Sequence, residues 1–436
     1  MRVRFWGTRG SIPTPGPGTL RYGGNTACVE LRTADNQLII LDCGTGLREL
    51  GKVLDRQPQP ISGHILLSHT HWDHIQGIAF FAPAFRSDNQ FTFYAAADAN
   101  QRMFDALSMH MDYLYFPLSL AELAAKLSFK EVGEEVFSIG SAQVKTQCLN
   151  HTGLTLGYRI YSGGASVVYV ADHEAFSSSL YRTGVSRPSL ADIVHAGDRR
   201  HVEFLTGADL VIHEAQYTWE EYAHRRNWGH SPIEYVVQVC VAAGAKHLVL
   251  THHDPDHDDE VIQQIEVSCQ QMARRLGSDL RVQAAAEGME VVIPERDAPV
   301  TLETDTVSSE NRSEPACILV VDDEPEMLQL ISVVLSKDQY RIVTASSGRQ
   351  ALEIINRDRP DLVLLDVMMP GLDGYAVLKQ LRLAPATRNL KVMMVTAKAA
   401  EEDIVRSFAD GVTDYVSKPL SPAVLRARVR RWLLNT

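Results

Sequence analysis

The chain has 436 residues, more than one ordinary domain contains, so we expect two domains with separate hydrophobic cores. Its composition, 45% hydrophobic and 22% charged, is typical of a globular protein, and no apolar run approaches the roughly 18 to 20 residues of a membrane helix. A formal net charge of -12 argues against long nucleic acid as a ligand, whereas a small anionic substrate held through metal ions is compatible with it.

The first ten residues, MRVRFWGTRG, alternate basic and apolar side chains before a glycine. This pattern predicts a first β-strand and lacks the apolar segment of a signal peptide. Six scattered cysteines without a C-x-x-C pair indicate neither a disulfide framework nor a cysteine metal site, so we expect them to be reduced and mostly buried. We therefore expect a cytoplasmic protein without a membrane span.

Residues 1–50 contain two strand-like runs, interrupted by glycine-rich, turn-forming segments such as GTRGSIPTPG and GGNT. Structural turns are the preferred interpretation of these glycines and prolines. The alternative is that the loop from Thr8 to Ser11 approaches a functional site, because glycine lets the backbone come close to a ligand.

The segment HILLSHTHWDHIQG carries His69, His71, Asp73 and His74 in the spacing H-x-H-x-D-H. These residues follow the apolar run Ile65–Leu67, which predicts a buried strand ending in a loop that holds the cluster. Three imidazoles and a carboxylate need partners when buried, and a metal ion satisfies them together. The spacing lets His69 and His71 face one zinc-like ion and Asp73 and His74 another, whereas a merely His-rich surface loop is the weaker alternative.

This motif resembles that of the metallo-β-lactamase fold. The resemblance implies an α/β protein whose two central sheets are flanked by helices, an αββα sandwich, with the metal site at one edge.

Residues 91–136 begin with the strand-like FTFYAA and continue with segments predicted as helical, such as AELAAKLSF at residues 121–129. Residues 109–118, MHMDYLYFPL, are rich in Met and aromatic side chains, for which packing in the core is the default interpretation. A lid or a subunit interface is the alternative, because exposed patches of this kind mark contacts.

Two predicted strands, LTLGYRI and SVVYVAD, form a hairpin-like pair that follows His151 and ends at Asp172. An acidic residue directly after the apolar run VVYVA suits a functional site better than a core. The resemblance places the third metal-binding histidine of the family at His151 and its bridging carboxylate at Asp172.

A helix is predicted from Ser231, as N-cap, and Pro232 to about Ala243, with Gly244 ending it. The following strand, KHLVLTH, leads to His252 and His253. The segment ADLVIHEAQY contains the block HEAQ. The three blocks HEAQ, GHSP and LTH resemble HEAT, GHST and LTH of tRNase Z and related phosphodiesterases. By position His252 matches the last metal ligand of that branch, and His253 stays open as the alternative.

This resemblance spans roughly residues 1–293 and implies a dinuclear phosphodiesterase mechanism. Two ions, zinc in the first place with manganese or iron as alternatives, would activate a water and stabilise an in-line displacement. Asp172 would lie between the ions, His230 would protonate the leaving alkoxide, and Glu214 would orient His230. The implied ligands are His69, His71 and His151 for one ion and Asp73, His74 and His252 for the other. Asp73 is also expected to be catalytic.

Only twenty residues separate His151 from Asp172, too few for the long arm with which tRNase Z holds tRNA. GTRGSIPTPG and GGNT look more like bacterial hydrolases of this fold proposed to cleave small or cyclic phosphodiesters. We therefore expect a small phosphodiester substrate. A thioester or lactone hydrolase on the same fold and a non-catalytic two-component signalling module are the alternatives.

Residues 294–315 are polar, acidic and poor in large apolar side chains, and we expect a linker there between a hydrolase domain at 1–293 and a second domain at 316–436. In the second domain, apolar runs alternate with amphipathic stretches, which predicts a doubly wound parallel sheet. Carboxylates, a hydroxyl and a lysine at predicted strand ends suit Mg²⁺ with a phosphoryl group: Asp322, Asp323, Asp366, Thr396 and Lys418.

This second domain, with its motif LLDVMMPGLDG, resembles a response-regulator receiver. The resemblance makes Asp366 the phosphoacceptor, with Asp322 and Asp323 binding magnesium beside it. Thr396, Lys418 and the aromatic Tyr415 would be the switch residues. A sensor histidine kinase is the implied partner, phosphorylation is expected to regulate the hydrolase, and a homodimer is expected.

Overall fold

A computed structural model describes residues 1–96, 103–151, 153–177, 179–181, 190–296, 315–336, 340–388, 390–397, 412, 414–418 and 422–433. The chain divides into two compact units, one containing two large sheets and the other a smaller sheet. The described part of residues 176–199 groups with the second unit. The domain limits at 293 and 316 therefore stay predictions, and the expected linker falls almost entirely outside the described residues.

Nineteen strands are present in the described ranges. They are β1 Arg2–Gly7, β2 Cys28–Arg32, β3 Leu38–Leu41, β4 Ser62–Leu66, β5 Gln90–Ala96, β6 Lys126–Val132, β7 Val136–Ile139, β8 Ala142–Cys148, β9 Leu156–Ser162, β10 Ala165–Val170, β11 Leu210–Glu214, β12 His247–Thr251, β13 Arg281–Ala284, β14 Glu290–Val292, β15 Cys317–Val321, β16 Arg341–Ala345, β17 Leu362–Asp366, β18 Lys391–Ala397 and β19 Asp414–Lys418.

The α-helices of the same ranges are α1 Gly46–Asp55, α2 Trp72–Ile75, α3 Met103–His110, α4 Ala196–Leu205, α5 Trp219–Tyr222, α6 Ile233–Ala242, α7 Asp259–Arg275, α8 Pro325–Ser336, α9 Gly348–Asp358, α10 Gly374–Leu383 and a final helix over Pro422–Leu433. Short 3-10 turns lie at Pro17–Thr19, Gln76–Phe80, Ala82–Phe85, Leu120–Glu122 and Leu190–Asp192.

The first unit is a sandwich of two mixed sheets, each of seven described strands. One sheet has the order β14-β1-β2-β3-β4-β5-β6 and the other β13-β12-β11-β10-β9-β8-β7. Alternate residues of β3 explain the layering, because Ile39 and Leu41 pack into the core between the sheets while Leu38 and Ile40 face the opposite side. The predicted αββα sandwich is confirmed.

Helices cover the outer faces of this sandwich. Leu47, Leu50 and Leu54 of α1 follow helical spacing and pack with the outward side chains of β3 and β4. Helices α6 and α7 pack on the second sheet, against β11 and β13. Strands β3 and β4 run parallel in the first sheet, and β10, β11 and β12 run parallel in the second, so their carboxyl ends provide the loops of the site described below.

Two local predictions in this unit are wrong. AELAAKLSF at 121–129 does not form a helix: after the turn at Leu120–Glu122 the chain enters β6, which pairs in parallel with β5. Pairing along the sheet edge outweighs the helix propensity of its alanines and leucines. Ser231 does not cap α6, whose N-cap is Pro232, because the Ser231 hydroxyl donates to the carbonyl of His173 at 2.6 Å.

The default interpretation of residues 109–118 is also wrong for most of this segment. Met111 is buried, but Tyr113, Leu114 and Tyr115 are 64%, 78% and 77% exposed. The aromatic side chains therefore lie largely outside the core. A lid or an interface stays a prediction, since nothing in the described chain shows what would cover them.

The second unit contains a parallel sheet of five described strands in the order β16-β15-β17-β18-β19. Neighbouring residues of β15 point into different cores: Leu319 and Val321 pack with α9 and α10, and Ile318 and Val320 pack with α8 and the final helix. Covering both faces in this way is the doubly wound arrangement, and this prediction is confirmed.

None of the described helices combines the length and the apolar character that crossing a membrane requires. The six cysteines all lie in described segments, where they form no disulfide, and five of them are buried.

Candidate metal centre

Seven predicted ligands converge at the carboxyl ends of the parallel strands. The ligand atoms of His69, His71, His151 and Asp172 lie within 4.8 Å of one another, and so do those of Asp73, His74 and His252. His69 and His71 follow β4 in a loop. Asp73 and His74 lie in the one-turn helix α2, where the sequence predicted a loop throughout. The structure thus brings these donors together, with His69 and His71 in one group and Asp73 and His74 in the other; their binding of two ions stays a prediction.

Asp172 lies between the two groups, with one carboxylate oxygen directed to each. Its Oδ2 is 3.4 Å from Nε2 of His69 and 3.5 Å from Nε2 of His151. Its Oδ1 is 3.2 Å from Nε2 of both His74 and His252. A carboxylate in this position can contact two ions at once, one through each oxygen.

The donor atoms fit a pair of divalent cations. Nε2 of His69 is buried without a hydrogen-bond partner, and leaving such an atom unsatisfied costs about 1 to 3 kcal/mol. A cation bound among the donors would satisfy it. The mixture of imidazole nitrogens and carboxylate oxygens is the donor set that zinc-like ions take.

Behind the ligands lies Asp42, a fully buried carboxylate that sequence reasoning missed. Its Oδ2 is 2.8 Å from Nδ1 of His74 and accepts the Tyr169 hydroxyl at 2.6 Å, while its Oδ1 accepts the Ser68 backbone N–H at 2.7 Å. Outer carboxylates of this kind hold the orientation of a ligating imidazole. A signal was present, because Asp42 follows the apolar run LIIL as Asp172 follows VVYVA.

Two more of the predicted ligands have partners at their outer ring nitrogen. Nδ1 of His252 lies 3.0 Å from Oε1 of Gln216, and Nδ1 of His151 lies 2.9 Å from the Gly229 carbonyl. Both contacts direct Nε2 of the ring into the cluster. Gln216 belongs to the HEAQ block, but the sequence analysis assigned it no function. No sequence pattern indicates that the carbonyl of Gly229 contacts a histidine.

The loop from Thr8 to Ser11 does approach the site, as the alternative interpretation proposed. The Ser11 backbone N–H donates to Oδ2 of Asp73 at 2.8 Å. A Cβ atom at Gly10 would stand 2.3 Å from Nδ1 of His252, so this position requires glycine. Ser11, Asp42 and His252 all have positive φ, near 60°, and such backbone strain in non-glycine residues concentrates at functional sites.

The protonation states of the cluster follow from burial and neighbouring charges. Burial lowers the pKa of His71 to about 4 and that of His151 well below its usual value, so both rings are neutral, as metal ligands must be. His74 differs: burial opposes its charge, but the carboxylates of Asp73 and Asp172 outweigh burial and raise its pKa. Metal binding would therefore have to displace a proton from His74.

His230 and Glu214 lie next to this cluster. Nδ1 of His230 is 4.0 Å from Oδ2 of Asp172 and 3.8 Å from Oε2 of Glu214, and the latter distance is too long for a hydrogen bond. Glu214 instead accepts the backbone N–H groups of Ser231 at 2.6 Å and Gln216 at 3.2 Å. Burial lowers the pKa of His230 to about 3, and burial together with Asp172 raises that of Glu214.

His253 does not reach the cluster. Its Nε2 lies 3.0 Å from the carbonyl of Ala285, in the turn after β13. Of the two histidines that the sequence left open, the structure brings His252 to the site.

A cavity of about 130 Å³ adjoins the His69 and His71 side of the centre. Apart from Thr70 and Gly153, the other described residues that line it are apolar: Ala95, Ala96, Met103, Ala106 and Leu154. A small substituent has room there beside the predicted metal ligands.

In the second unit, Asp322, Asp323 and Asp366 have carboxylate oxygens within 4.8 Å of one another. Nζ of Lys418 lies 2.9 Å from Oδ2 of Asp322 and 3.0 Å from Oδ1 of Asp366. Burial raises the pKa of Asp366 despite this lysine. Thr396 lies near the end of β18. Tyr415 lies on β19, with its side chain outside the described part.

Comparisons with known proteins match two family models to different parts of the chain. Residues 318–430 match the response regulator receiver domain family, and residues 37–253 match the beta-lactamase superfamily domain. Over 115 residues the chain is 41% identical to the response regulator PleD of Caulobacter vibrioides, an alignment that covers 26% of this chain and 25% of PleD. The chain spans between about a quarter and about half of the length of the response regulators it matches.

Two solved structures are similar to about two thirds of this chain. The metallo-beta-lactamase fold protein YhfI from Bacillus subtilis is 19% identical with a TM-score of 0.46, covering 66% of this chain and 98% of YhfI. The short form of human tRNase Z is 20% identical with a TM-score of 0.45, covering 67% of this chain and all of that chain.

Proposed function

Because the chain joins a beta-lactamase-fold domain to a C-terminal response regulator receiver domain, we propose that it is a receiver-controlled, dinuclear metal phosphodiesterase acting on small phosphodiesters. The observation that carries the proposal is the position of Asp172. Each of its carboxylate oxygens faces a separate pair of imidazole nitrogens, at 3.2 to 3.5 Å. This arrangement supports two ions that share one carboxylate.

The proposed ligands of one ion are His69, His71 and His151, those of the other are Asp73, His74 and His252, and Asp172 joins them. Zinc suits these donors best, and manganese or iron are the alternatives. Two such ions, when bound, supply Lewis-acid stabilisation of phosphoryl oxygens and a water of lowered pKa.

His230 is the proposed general acid. It would donate the proton of an imidazole nitrogen to the oxygen of the leaving alkoxide. Burial alone disfavours the charged ring, as its lowered pKa indicates, but an anionic phosphodiester next to the ring favours it. Orienting His230 is the role proposed for Glu214, and it would need a closer approach of the two side chains than the 3.8 Å between them in this structure.

The expected substrate is a small phosphodiester, with cyclic nucleotides as candidates. The short segment between His151 and Asp172 leaves no arm for a large nucleic acid, and the cavity beside His69 and His71 has space for a small group.

In the receiver, Asp366 is the proposed phosphoacceptor, and magnesium would bind with Asp322 and Asp323. Lys418 would contact the phosphoryl oxygens, and Thr396 and Tyr415 would respond to the modification. A receiver implies a phosphodonor, and we propose a sensor histidine kinase. A homodimer is part of the same proposal.

A substrate screen on protein of known metal content tests this function. We expect wild type to cleave bis(4-nitrophenyl) phosphate or a cyclic nucleotide, and His230→Ala to lose about 100-fold or more on substrates with alkoxide leaving groups. His224→Ala, which changes an exposed histidine, is the control and should keep full activity. Hydrolysis of thioesters or lactones alone, indifferent to His230, would contradict the proposal, and so would absence of any turnover by fully metallated protein.

A further inference from the structure

The two residues after Asp172, His173 and Glu174, are buried and bond to two other loops of the site. We propose that Glu174, assisted by His173, is a positioning residue that holds the loop from Asn227 to His230 in place. This inference rests on the proposed function, because it gives Glu174 a task in placing the general acid and one metal ligand.

Glu174 binds the loop through backbone groups. Its Oε1 accepts the N–H of Asn227 at 2.7 Å and the hydroxyl of Tyr222 at 2.9 Å, and its Oε2 accepts the N–H of Gly229 at 2.9 Å. Asn227 and Gly229 have positive φ, 65° and 89°, which turns the backbone so that both N–H groups reach one carboxylate. An ionised carboxylate is the acceptor that suits three converging donors.

The same loop orients a metal ligand. The carbonyl of Gly229 is the partner of His151 Nδ1 at 2.9 Å, and a Cβ atom at position 229 would stand 2.2 Å from that nitrogen. His230 is the next residue. Fixing the N–H of Gly229 therefore fixes, through the adjoining peptide groups, both the partner of His151 and the backbone that carries His230.

The segment that follows β10 and carries Asp172 is also hydrogen-bonded to the loop that carries His151. Glu174 donates its N–H to the Asn150 carbonyl at 2.7 Å, and the side-chain amide of Asn150 donates to the Glu174 carbonyl at 2.8 Å. Three segments, ending in or carrying His151, Asp172 and His230, thus meet at Glu174.

His173 completes these connections. Its Nδ1 accepts the N–H of Asn150 at 3.1 Å, which leaves the proton of the neutral ring on Nε2, 3.3 Å from the Tyr235 hydroxyl. Its carbonyl accepts the hydroxyl of Ser231 at 2.6 Å, directly after His230. Neither His173 nor Glu174 has a role that the sequence alone predicts, because these bonds join residues far apart in the chain.

Glu174→Gln in the full-length protein tests the inference. The amide offers one acceptor oxygen, and its NH₂ group would face an N–H donor, so the loop should shift while the fold persists. We expect zinc affinity, measured by competition with a chromophoric chelator, to fall by about 10-fold. At saturating zinc, turnover should fall by about 10- to 100-fold on phosphodiesters that leave as phenol, and little on those that leave as 4-nitrophenolate.

A loss that depends on the leaving group indicates that the general acid is misplaced. General destabilisation of the protein would instead lower turnover equally on both substrates. Glu203→Gln, an exposed glutamate of α4, is the matched control and should behave as wild type. Should Glu174→Gln not fold, Tyr222→Phe removes one of the three donors and should show a smaller change of the same kind.

The outcome for His230→Ala in the same assays distinguishes the two proposals. If the loss of turnover depends on the leaving group in His230→Ala but not in Glu174→Gln, the positioning role of Glu174 is refuted and the proposed function stands. If the loss depends on the leaving group in neither variant, the role of His230 as general acid is refuted, and the role of Glu174 is refuted with it.

Discussion

At the scale of single residues, the centre depends on atoms packed against its imidazole rings as much as on the ligands. Gly10 shows this most directly, because its backbone lies against the ring of His252 with no room for a side chain. Asp42 and Gln216 set the orientation of His74 and His252 from behind. Each of these contacts joins segments that are distant in sequence.

We predict that Gly10→Ala removes one of two bound zinc ions. The new Cβ would meet the His252 ring at 2.3 Å and displace it, while His69, His71 and His151 keep their positions. Metal analysis of the purified variant should give close to one zinc per chain, with turnover lost. Gly16→Ala is the control, since a Cβ there meets nothing within 4 Å. Two zinc ions in both variants would refute this account of the loop.

The ligand candidates were more accessible from the sequence than their surroundings. His69, His71, Asp73 and His74 follow from local spacing, and the structure brings them together. His151, Asp172 and His252 needed a resemblance, because single histidines and aspartates carry little signal. Asp42 could have been predicted from the sequence, because it directly follows the apolar run LIIL as Asp172 follows VVYVA. The contacts of Gln216 with His252 and of Gly229 with His151 could not have been predicted, since they span 36 and 78 residues.

At the scale of elements, strands were predicted well and exceptions have local causes. The apolar runs of β3, β4, β10 and β12 are short and bounded by polar or turn residues, which makes their pattern clear. The segment at 121–129 was predicted as helix from its alanines and leucines, but pairing with β5 decides its conformation. The N-cap of α6 was misassigned because Ser231 has a better acceptor in the His173 carbonyl.

The central strands of the second sheet also give a pH dependence of stability. His213 on β11 and His247 on β12 are buried, and burial lowers the pKa of each from 6.5 to about 4. The unfolded chain therefore binds protons between about pH 6.5 and 4 that the folded chain does not. The free energy of unfolding should fall as pH falls through this window, by up to about 1.4 kcal/mol per pH unit for each histidine.

His247→Gln should weaken this dependence, because it removes one of the buried histidines whose pKa is lowered by burial. Thermal melts of metal-free protein at pH 7 and pH 5.5 measure it: the drop in melting temperature should be smaller in the variant than in wild type. His224→Gln, on the surface, should leave the drop unchanged. An equal drop in wild type and His247→Gln would show that burial of this ring does not oppose its protonation.

At the scale of the whole molecule, the question is whether the receiver controls the metal centre. The combination of a beta-lactamase-fold domain with a receiver domain motivates the proposal, and two-state changes around a modified aspartate are the general way such control operates. Both folds could be identified from sequence because each has a local motif at strand ends.

We predict that beryllofluoride with magnesium, which mimics the phosphoryl group on Asp366, changes turnover of the phosphodiester substrate in the full-length protein. Asp366→Asn should remove that change while retaining basal turnover. Steady-state rates with and without the mimic, in wild type and variant, measure this effect. Identical rates in wild type would contradict control by the receiver.

The most direct test of the central claim is a zinc titration of metal-stripped protein, in which bound zinc per chain and hydrolysis of bis(4-nitrophenyl) phosphate are followed together. Zinc prefers the imidazole-rich centre over the all-oxygen site of the receiver, so the two sites are distinguished. The account predicts little hydrolysis up to one bound zinc and a rise that is complete at two. Full activity at one zinc, or none with two bound, would contradict a dinuclear phosphodiesterase bridged by Asp172.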